Sequence, residues 1–173
     1  MIKIEKYSEL TPSARNVLNQ LIEEEFGHVA FVQERVWAQP EWVLTMYENG
    51  EVATVCHVVL REVSMDGKRY KVAGINNVIT PKNNRGKGYA SQVLREAEKL
   101  VFEELGYAYA LLLCADALLP FYSRTGWYKV EDCALYYHQP TGEEIYNSNV
   151  MLLPANNLPP YNPKYINLNG LPW

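Results

Sequence analysis

Cysteine is scarce in this sequence of 173 residues, and the three present are far apart. Cys56, Cys114 and Cys133 form no CxxC spacing, which excludes the common zinc and dithiol redox motifs, so we expect reduced thiols and no metal. Excess positive charge is also missing, because 16 Lys and Arg are outnumbered by 20 Asp and Glu. The resulting net charge of −4 argues against nucleic acid as a partner, because neutralising phosphates requires a basic face, while a local basic patch for a small phosphorylated ligand stays open.

Long apolar segments are absent as well. No stretch reaches the roughly 18 apolar residues of a membrane-spanning helix, and the initial MIKIEKYSEL lacks the apolar core of a signal peptide. We therefore expect a cytoplasmic protein with no membrane partner. An apolar content of 48% and a charged content of 21% are typical of a globular chain that buries its own core. We expect one domain over residues 1–154, with a Pro-rich tail over 155–173 packed on it as coil.

Strand-like runs and helical patterns alternate along the chain. Predicted strands cover residues 2–6, 41–48, 51–62, 70–80, 107–114, 127–130, 135–138 and 149–153. Predicted helices, placed by apolar periodicity and end signals, cover about 12–26, 31–37, 90–105 and 117–124. Asn49-Gly50 and the segment MDGKRY predict two hairpin turns, which join the second, third and fourth strands.

The segment NNRGKGYA, residues 83–90, places two glycines and two cations directly before an amphipathic helix. A strand, a glycine turn and a helix in this order bind anions, because unpaired amide hydrogens and the positive end of the helix dipole meet at one point. The phosphate loop of nucleotide hydrolases is excluded, since Pro81 stands where its first glycine is needed. The dinucleotide fingerprint is disfavoured because Ser91 replaces its third glycine.

A third pattern, Q/R-x-x-G-x-G/A, is matched by Arg85, Gly88 and Ala90. In this setting the sequence, from residue 2 to about 154, resembles the GNAT superfamily of acyl-CoA-dependent N-acyltransferases. The resemblance implies an α/β fold with a mixed, mostly antiparallel central sheet flanked by helices, and acetyl-CoA as co-substrate. The turn would hold the pyrophosphate, where side chains at 86, 88 and 90 would obstruct its approach. The turn residues implied to bind the cofactor are Arg85, Gly86, Lys87, Gly88, Tyr89, Ala90 and Ser91.

The same resemblance implies that the fourth and fifth strands splay apart. The pantetheine arm would then run beside the fourth strand and pair with the backbone of Val78, Ile79 and Thr80. Asn76 and Asn77 are poor strand formers in the middle of that strand. We expect a bulge there, since a bulge tolerates such residues; a kink without a chemical role is the alternative.

Acetyl transfer from a thioester requires an uncharged amine, a polarised carbonyl and a proton for the departing thiolate. The segment FYSRTGW is similar to the family's FYxxxGF and places Tyr122 where GNAT enzymes often carry the proton donor; a packed tyrosine with a satisfied hydroxyl is the alternative. The base stays open, because Asn76 stands near the position of a glutamate in relatives and an amide accepts no proton. The candidates are a water chain on backbone carbonyls, Asp116, Glu34 and bulk solvent.

Two further side chains with reactive groups have a structural interpretation. Cys114 lies at the end of the fifth predicted strand and can be an acyl carrier, but we expect a buried apolar thiol there. His57 is a lone histidine within a strand, and we expect it to be structural rather than a base.

Within the superfamily the architecture is most similar to aminoglycoside 2'-N-acetyltransferases, through the paired hairpins, the LYxxxGW-like helix end and the final NGLPW. The drug-binding acids of that group are missing, since Asn76 replaces a glutamate and Leu171 an aspartate. The resemblance therefore predicts an N-acetyltransferase that acts by direct attack of another small-molecule primary amine, with Asn76 and Trp173 in the acceptor site. A catalytically impaired acyl-CoA-binding module is the alternative. The aromatic segments ALYYH and PPYNPKY leave a homodimer open.

Overall fold

The computed structural model describes residues 1–173, which form a ten-stranded sheet with helices packed on it. The strands are β1 (Ile2–Lys6), β2 (Trp42–Glu48), β3 (Glu51–Met65), β4 (Lys68–Ile79), β5 (Tyr109–Cys114), β6 (Tyr128–Lys129), β7 (Ala134–Gln139), β8 (Gly142–Tyr146), β9 (Asn149–Pro154) and β10 (Tyr165–Asn167). The helices are α1 (Pro12–Phe26), α2 (Ala30–Gln33), α3 (Tyr89–Lys99) and α4 (Leu119–Ser123). None of them combines the length and the apolar character that crossing a bilayer requires.

The sheet is mixed and mostly antiparallel. Its order is β6-β9-β5-β4-β3-β10-β7-β8, and the β1–β2 pair joins it through the contact of β2 with β3. Parallel pairing occurs between β4 and β5 and between β10 and β7. The expected α/β class with a mostly antiparallel sheet is confirmed.

Local signals account for the first half of the fold. The Thr11 hydroxyl accepts the backbone N–H of Ala14 at 3.2 Å and caps α1, as expected for a threonine before proline. Asn49-Gly50 and Asp66-Gly67 form the two hairpin turns, and all four residues have positive φ angles of 47° to 84°. Positive φ at both central residues is the geometry that Asn-Gly and Asp-Gly favour.

Three expectations were wrong in detail. The Pro-rich tail is not coil throughout, because β10 inserts between β3 and β7, with Ile166 paired to Met65 on one side and Leu135 on the other. Strand β8 was missed, although it pairs with β7 as a hairpin. The second helix is shorter than expected, whereas the helix after the glycine turn has the expected extent, as α3 followed by a π-helical turn over Leu100–Glu104. The pairing of β10 depends on strands far away in the sequence, which local patterns do not report.

The sheet separates two large apolar clusters. The cluster on the α3 side includes Leu94, Val101, Leu112 and Tyr122, and the cluster on the opposite side is built around residues such as Tyr137 and Trp173. A smaller cluster lies under α1. The carboxyl ends of β4 and β5 therefore lie between these two packed apolar clusters.

Candidate active site

β4 and β5 separate at their carboxyl ends. Parallel pairing runs from Val72–Tyr109 to Ile75–Leu112 and stops there. Both strands nevertheless continue, β4 to Ile79 and β5 to Cys114. Residues 76–79 therefore have no strand partner on the β5 side, and the expected splay is present.

The gap begins at a β-bulge. His57 pairs with Asn76, and the next pair along β3 is Val55 with Ile79, so β4 has one residue more than β3 between the two pairs. Asn77 takes φ +47°, a left-handed conformation that asparagine tolerates better than most residues. The bulge is thus at the predicted asparagine pair.

Polar side chains meet at the bulge. Asn77 Nδ2 donates to His57 Nδ1 at 3.1 Å, and His57 is only 2% exposed. His57 Nε2 and Asn76 Oδ1 are buried without any hydrogen-bond partner. Because His57 and Asn76 are directly paired, their side chains share one face of the sheet. Two unpartnered polar atoms at one strand pair are the kind of feature that a ligand or water satisfies.

The glycine turn lies between a 3₁₀ turn, Lys82–Asn84, and the start of α3. Gly86 and Gly88 both have φ +78°, and a Cβ on either would meet no protein atom within 4 Å. The backbone N–H groups of the six residues 86–91 donate to no protein acceptor. These amides lie at the positive end of α3, so the turn is open, donor-rich and suited to an anion.

The two cations of the turn are held by acids. Arg85 Nε donates to Thr80 O at 2.9 Å, and Arg85 Nη2 pairs with Glu25 at 2.7 Å. Lys87 Nζ lies 3.5 Å from Glu48. Arg85 therefore fastens the turn both to the end of β4 and to α1, in addition to supplying charge beside the free amides.

The three residues predicted to face pantetheine follow the bulge. Val78 packs against the α3-side cluster, whereas Ile79 is buried under α1. The carbonyl of Ile79 and the hydroxyl of Thr80 both contact the Thr54 hydroxyl at 2.9 Å. Tyr89, Ala90 and Ser91 are half-buried in the first turn of α3. The structure thus brings residues 78–80 and 85–91 to the same end of the β4–β5 gap.

Tyr122 lies in α4, on the α3 side of the gap. It is 7% exposed, and its ring contacts Phe121 and Trp127 at centroid distances of 4.9 and 6.3 Å. Burial, with Cys56 and Cys114 nearby, raises the pKa of its hydroxyl, so the group keeps its proton at neutral pH. The hydroxyl makes no hydrogen bond in the structure.

The family model for the acetyltransferase (GNAT) domain matches residues 6–130, which is more than half of the chain. This chain belongs to the GNAT acetyltransferase family. It is therefore an acyl-CoA-dependent acetyltransferase. Among proteins with curated descriptions, none matches it.

Solved GNAT structures share the fold at low sequence identity. An acyl-CoA N-acyltransferase from Pseudomonas aeruginosa is 16% identical, with 88% of this chain and 97% of that chain covered and a TM-score of 0.60. The Escherichia coli N-acetyltransferase YhbS, in complex with CoA, is 17% identical, with coverages of 98% and 89% and a TM-score of 0.62. A Brucella melitensis acetyltransferase in complex with acetyl-CoA is 16% identical, with coverages of 94% and 93% and a TM-score of 0.59.

The thiol of Cys114 and the carboxylate of Asp116 already have partners in the structure. Burial raises the pKa of Cys114 to about 11, and its Sγ lies 3.6 Å from Met151 Sδ. Asp116 accepts a hydrogen bond from Asn149 Nδ2 at 2.7 Å. Glu34 is exposed just beyond α2. No carboxylate is hydrogen-bonded to any side chain at the bulge.

Trp173 is a core residue, only 3% exposed. Its ring lies directly on Gly74, where a side chain would collide with it, and its Nε1 donates to Leu111 O at 3.2 Å. Arg61 fixes the preceding segment by donating to Leu171 O at 2.6 Å. Gly74 and Asn76 are two residues apart and share one face of β4, so Trp173 lies beside the bulge.

Proposed function

We propose that this GNAT enzyme transfers the acetyl group of acetyl-CoA to the primary amine of a small molecule, in a ternary complex in the cytoplasm. The observation that carries the proposal is the run of six free amides, residues 86–91, at the start of α3 and next to the splayed strands. The pyrophosphate would bind these amides, with Arg85 and Lys87 beside it. Pantetheine would enter the gap along residues 78–80. The CoA and acetyl-CoA complexes of the two GNAT proteins named above support acetyl-CoA as the co-substrate.

Tyr122 is the proposed proton donor. The amine attacks the thioester carbonyl, the C–N bond forms, the C–S bond breaks, and the phenol proton passes to the departing thiolate. The proton lost by the amine nitrogen passes to solvent, from which the Tyr122 phenolate is reprotonated. A phenol whose pKa is raised by burial remains protonated until a thiolate is generated beside it. The raised pKa of Cys114 makes its thiol a poor nucleophile, which favours direct transfer over an acylated cysteine.

The acceptor would bind on the face of the sheet that carries Asn76 and Trp173. That face presents an amide, an imidazole and an indole, with no carboxylate at the bulge. A polycationic aminoglycoside would lose charge-assisted hydrogen bonds worth about 1.5–3 kcal/mol each. We therefore propose a different amine as the acceptor.

The test is thiol release from acetyl-CoA with a panel of amines, followed by mass measurement of the product. Tyr122→Phe should lower the rate by about 100-fold or more, the contribution of a general acid, with CoA-induced thermal stabilisation unchanged. Tyr165→Phe is the matched control. Tyr165 lies in β10, away from α4, where it is exposed and stacks on Tyr136 of β7. Unchanged turnover in Tyr122→Phe would remove Tyr122 from the mechanism.

A binding module without catalysis is the second candidate, favoured by Asn76 and Asn77 at the position where a base is expected. It would be stabilised by CoA, as any native-state ligand requires, yet would turn over no amine. An interaction protein with a vestigial cleft would show no CoA effect at all.

A further inference from the structure

The unpaired polar atoms at the bulge define a small uncharged binding site. Asn76 Oδ1 and His57 Nε2 are both buried without partners and lie on one face of the sheet. Buried polar atoms in proteins nearly always have a partner, so a bound polar group is expected at these two. The site lies beside the end of the β4–β5 pairing, where the thioester of the cofactor would be.

The imidazole of His57 has no free lone pair with which to accept a proton from the substrate. Asn77 Nδ2 donates to His57 Nδ1 at 3.1 Å, which occupies that lone pair and leaves the ring proton on Nε2. Nδ1 therefore accepts from Asn77, and Nε2 carries the ring proton as a donor without a protein partner. Burial also lowers the pKa of His57 to about 4, so the ring is neutral at pH 7. Tyr7, at a ring distance of 6.2 Å, is the aromatic neighbour of His57.

The carboxylates of the surrounding segments do not replace the missing base. Asp116 accepts an amide N–H at 2.7 Å, and Glu25 is paired with Arg85 at 2.7 Å. Glu41 accepts the backbone N–H of Leu60 at 2.6 Å. None of these carboxylates makes a hydrogen bond with a side chain at the bulge. Glu98 has a buried Oε1 without a partner, but it lies in α3 near Cys56, on the face of the sheet opposite to His57 and Asn76.

The proton balance of acetyl transfer shows when a base is required. If an uncharged amine attacks, its nitrogen releases one proton to solvent, the thiolate gains one from Tyr122, and the Tyr122 phenolate takes one back from solvent, so the transfer has no net proton change. An alkylammonium carries one more proton, which has to be removed before attack. With a pKa near 10.4, like that of lysine, only about one alkylamine molecule in 2,500 is uncharged at pH 7.

We infer that the natural acceptor is a weakly basic amine, of the arylamine, hydrazine or hydroxylamine class, which is already uncharged at neutral pH. This rests on the proposed acetyl transfer and assigns its substrate class. The amine N–H donates to Asn76 Oδ1, and its lone pair points to the thioester in the gap.

Two amines that share a ring but differ in basicity test the inference. Thiol release is measured with para-methoxyaniline and para-methoxybenzylamine between about pH 6 and 9, below the alkylamine pKa. The rate constant kcat/KM for the aniline should not change with pH. That for the benzylamine should rise about tenfold for each pH unit, in proportion to its uncharged fraction.

Installing a base provides an independent readout. Asn76→Glu places a carboxylate at the bulge, so turnover of the benzylamine at pH 7 should rise at least about tenfold and its pH slope should flatten. Asn76→Gln is the matched control, equal in length but uncharged, and should keep the wild-type slope. CoA-induced thermal stabilisation checks that both variants are folded. If Asn76→Glu does not fold, the inference is tested by the pH dependence of kcat/KM that the wild-type protein shows with the two amines.

The outcomes separate this inference from the proposed function. If the wild-type protein acetylates the benzylamine at pH 7 as fast as the aniline and without pH dependence, the inferred substrate class is wrong while acetyl transfer stands. If no amine of either class releases thiol although CoA stabilises the protein, acetyl transfer fails and the substrate class fails with it.

Discussion

Replacing Gly88 by alanine separates the shape of the glycine turn from its ligand. At φ +78° an L-residue is strained by about 1–2 kcal/mol. The new Cβ would meet no protein atom within 4 Å, so the free protein should lose this conformational energy and nothing further. Binding of CoA should suffer more, because the methyl group would occupy the space from which the pyrophosphate reaches the free amides.

Thermal unfolding with and without CoA measures both effects. At a hundred times its Kd, CoA should raise the wild-type free energy of unfolding by about 2.7 kcal/mol, or roughly 5 to 10 °C in Tm for a domain of this size. Gly67→Ala is the matched control, since Gly67 has φ +79°, lies in the second hairpin and also has open space around its Cα. Both variants should lose similar stability without CoA, and only Gly88→Ala should lose the CoA shift.

The result that refutes this reasoning is an equal CoA shift in the two variants. The free amides of residues 86–91 would then not be the pyrophosphate site. A loss of stability in Gly88→Ala well beyond that of Gly67→Ala, without CoA, would show instead that the turn is constrained by the protein itself.

The core and the pH response can be tested by denaturation. Trp173→Phe leaves the Leu111 carbonyl without its donor and should cost about 1–3 kcal/mol in urea unfolding; Trp173→Ala should cost about 3–5 kcal/mol, and losses near zero would mean that the tail does not hold the core. The folded pKa of His57, about 4, lies below its ordinary 6.5, so the unfolded chain binds the proton first. Stability should therefore fall as the pH drops from 6.5 to 4, by up to about 3 kcal/mol. His57→Gln should remove that part of the loss, and an unchanged acid profile would contradict it.

The strand register near the site is predictable from turn chemistry. A two-residue turn at Asp66-Gly67 pairs Met65 with Lys68, and counting outward from that pair puts His57 opposite Asn76. The register therefore places His57 beside the bulge, and its burial and lowered pKa agree with the expectation that it is not a base. The bulge is also predictable, because asparagine is a poor strand former and tolerates positive φ.

The position of the tail is not predictable in this way. β10 contributes three residues from a Pro-rich segment, and its pairing depends on β3 and β7, which are far away in sequence. The burial of Trp173 depends on Gly74, whose missing side chain leaves room for the indole. Neither partner leaves a signal in the local sequence, and pairing at long range is decided by the assembled sheet.

The insertion of β10 also has a consequence for the order of folding. The β7–β8 hairpin is joined to the rest of the sheet only through β10, which follows every other strand along the chain. Until β10 has been synthesised, the edge of β7 that pairs with it has no strand partner. An unpaired edge of this kind can pair with the wrong strand. The β7–β8 hairpin joins the sheet only through pairing between residues that are far apart in the sequence, and such pairing forms slowly. We expect it to be the last part of the molecule to become ordered and the most prone to aggregation on the way.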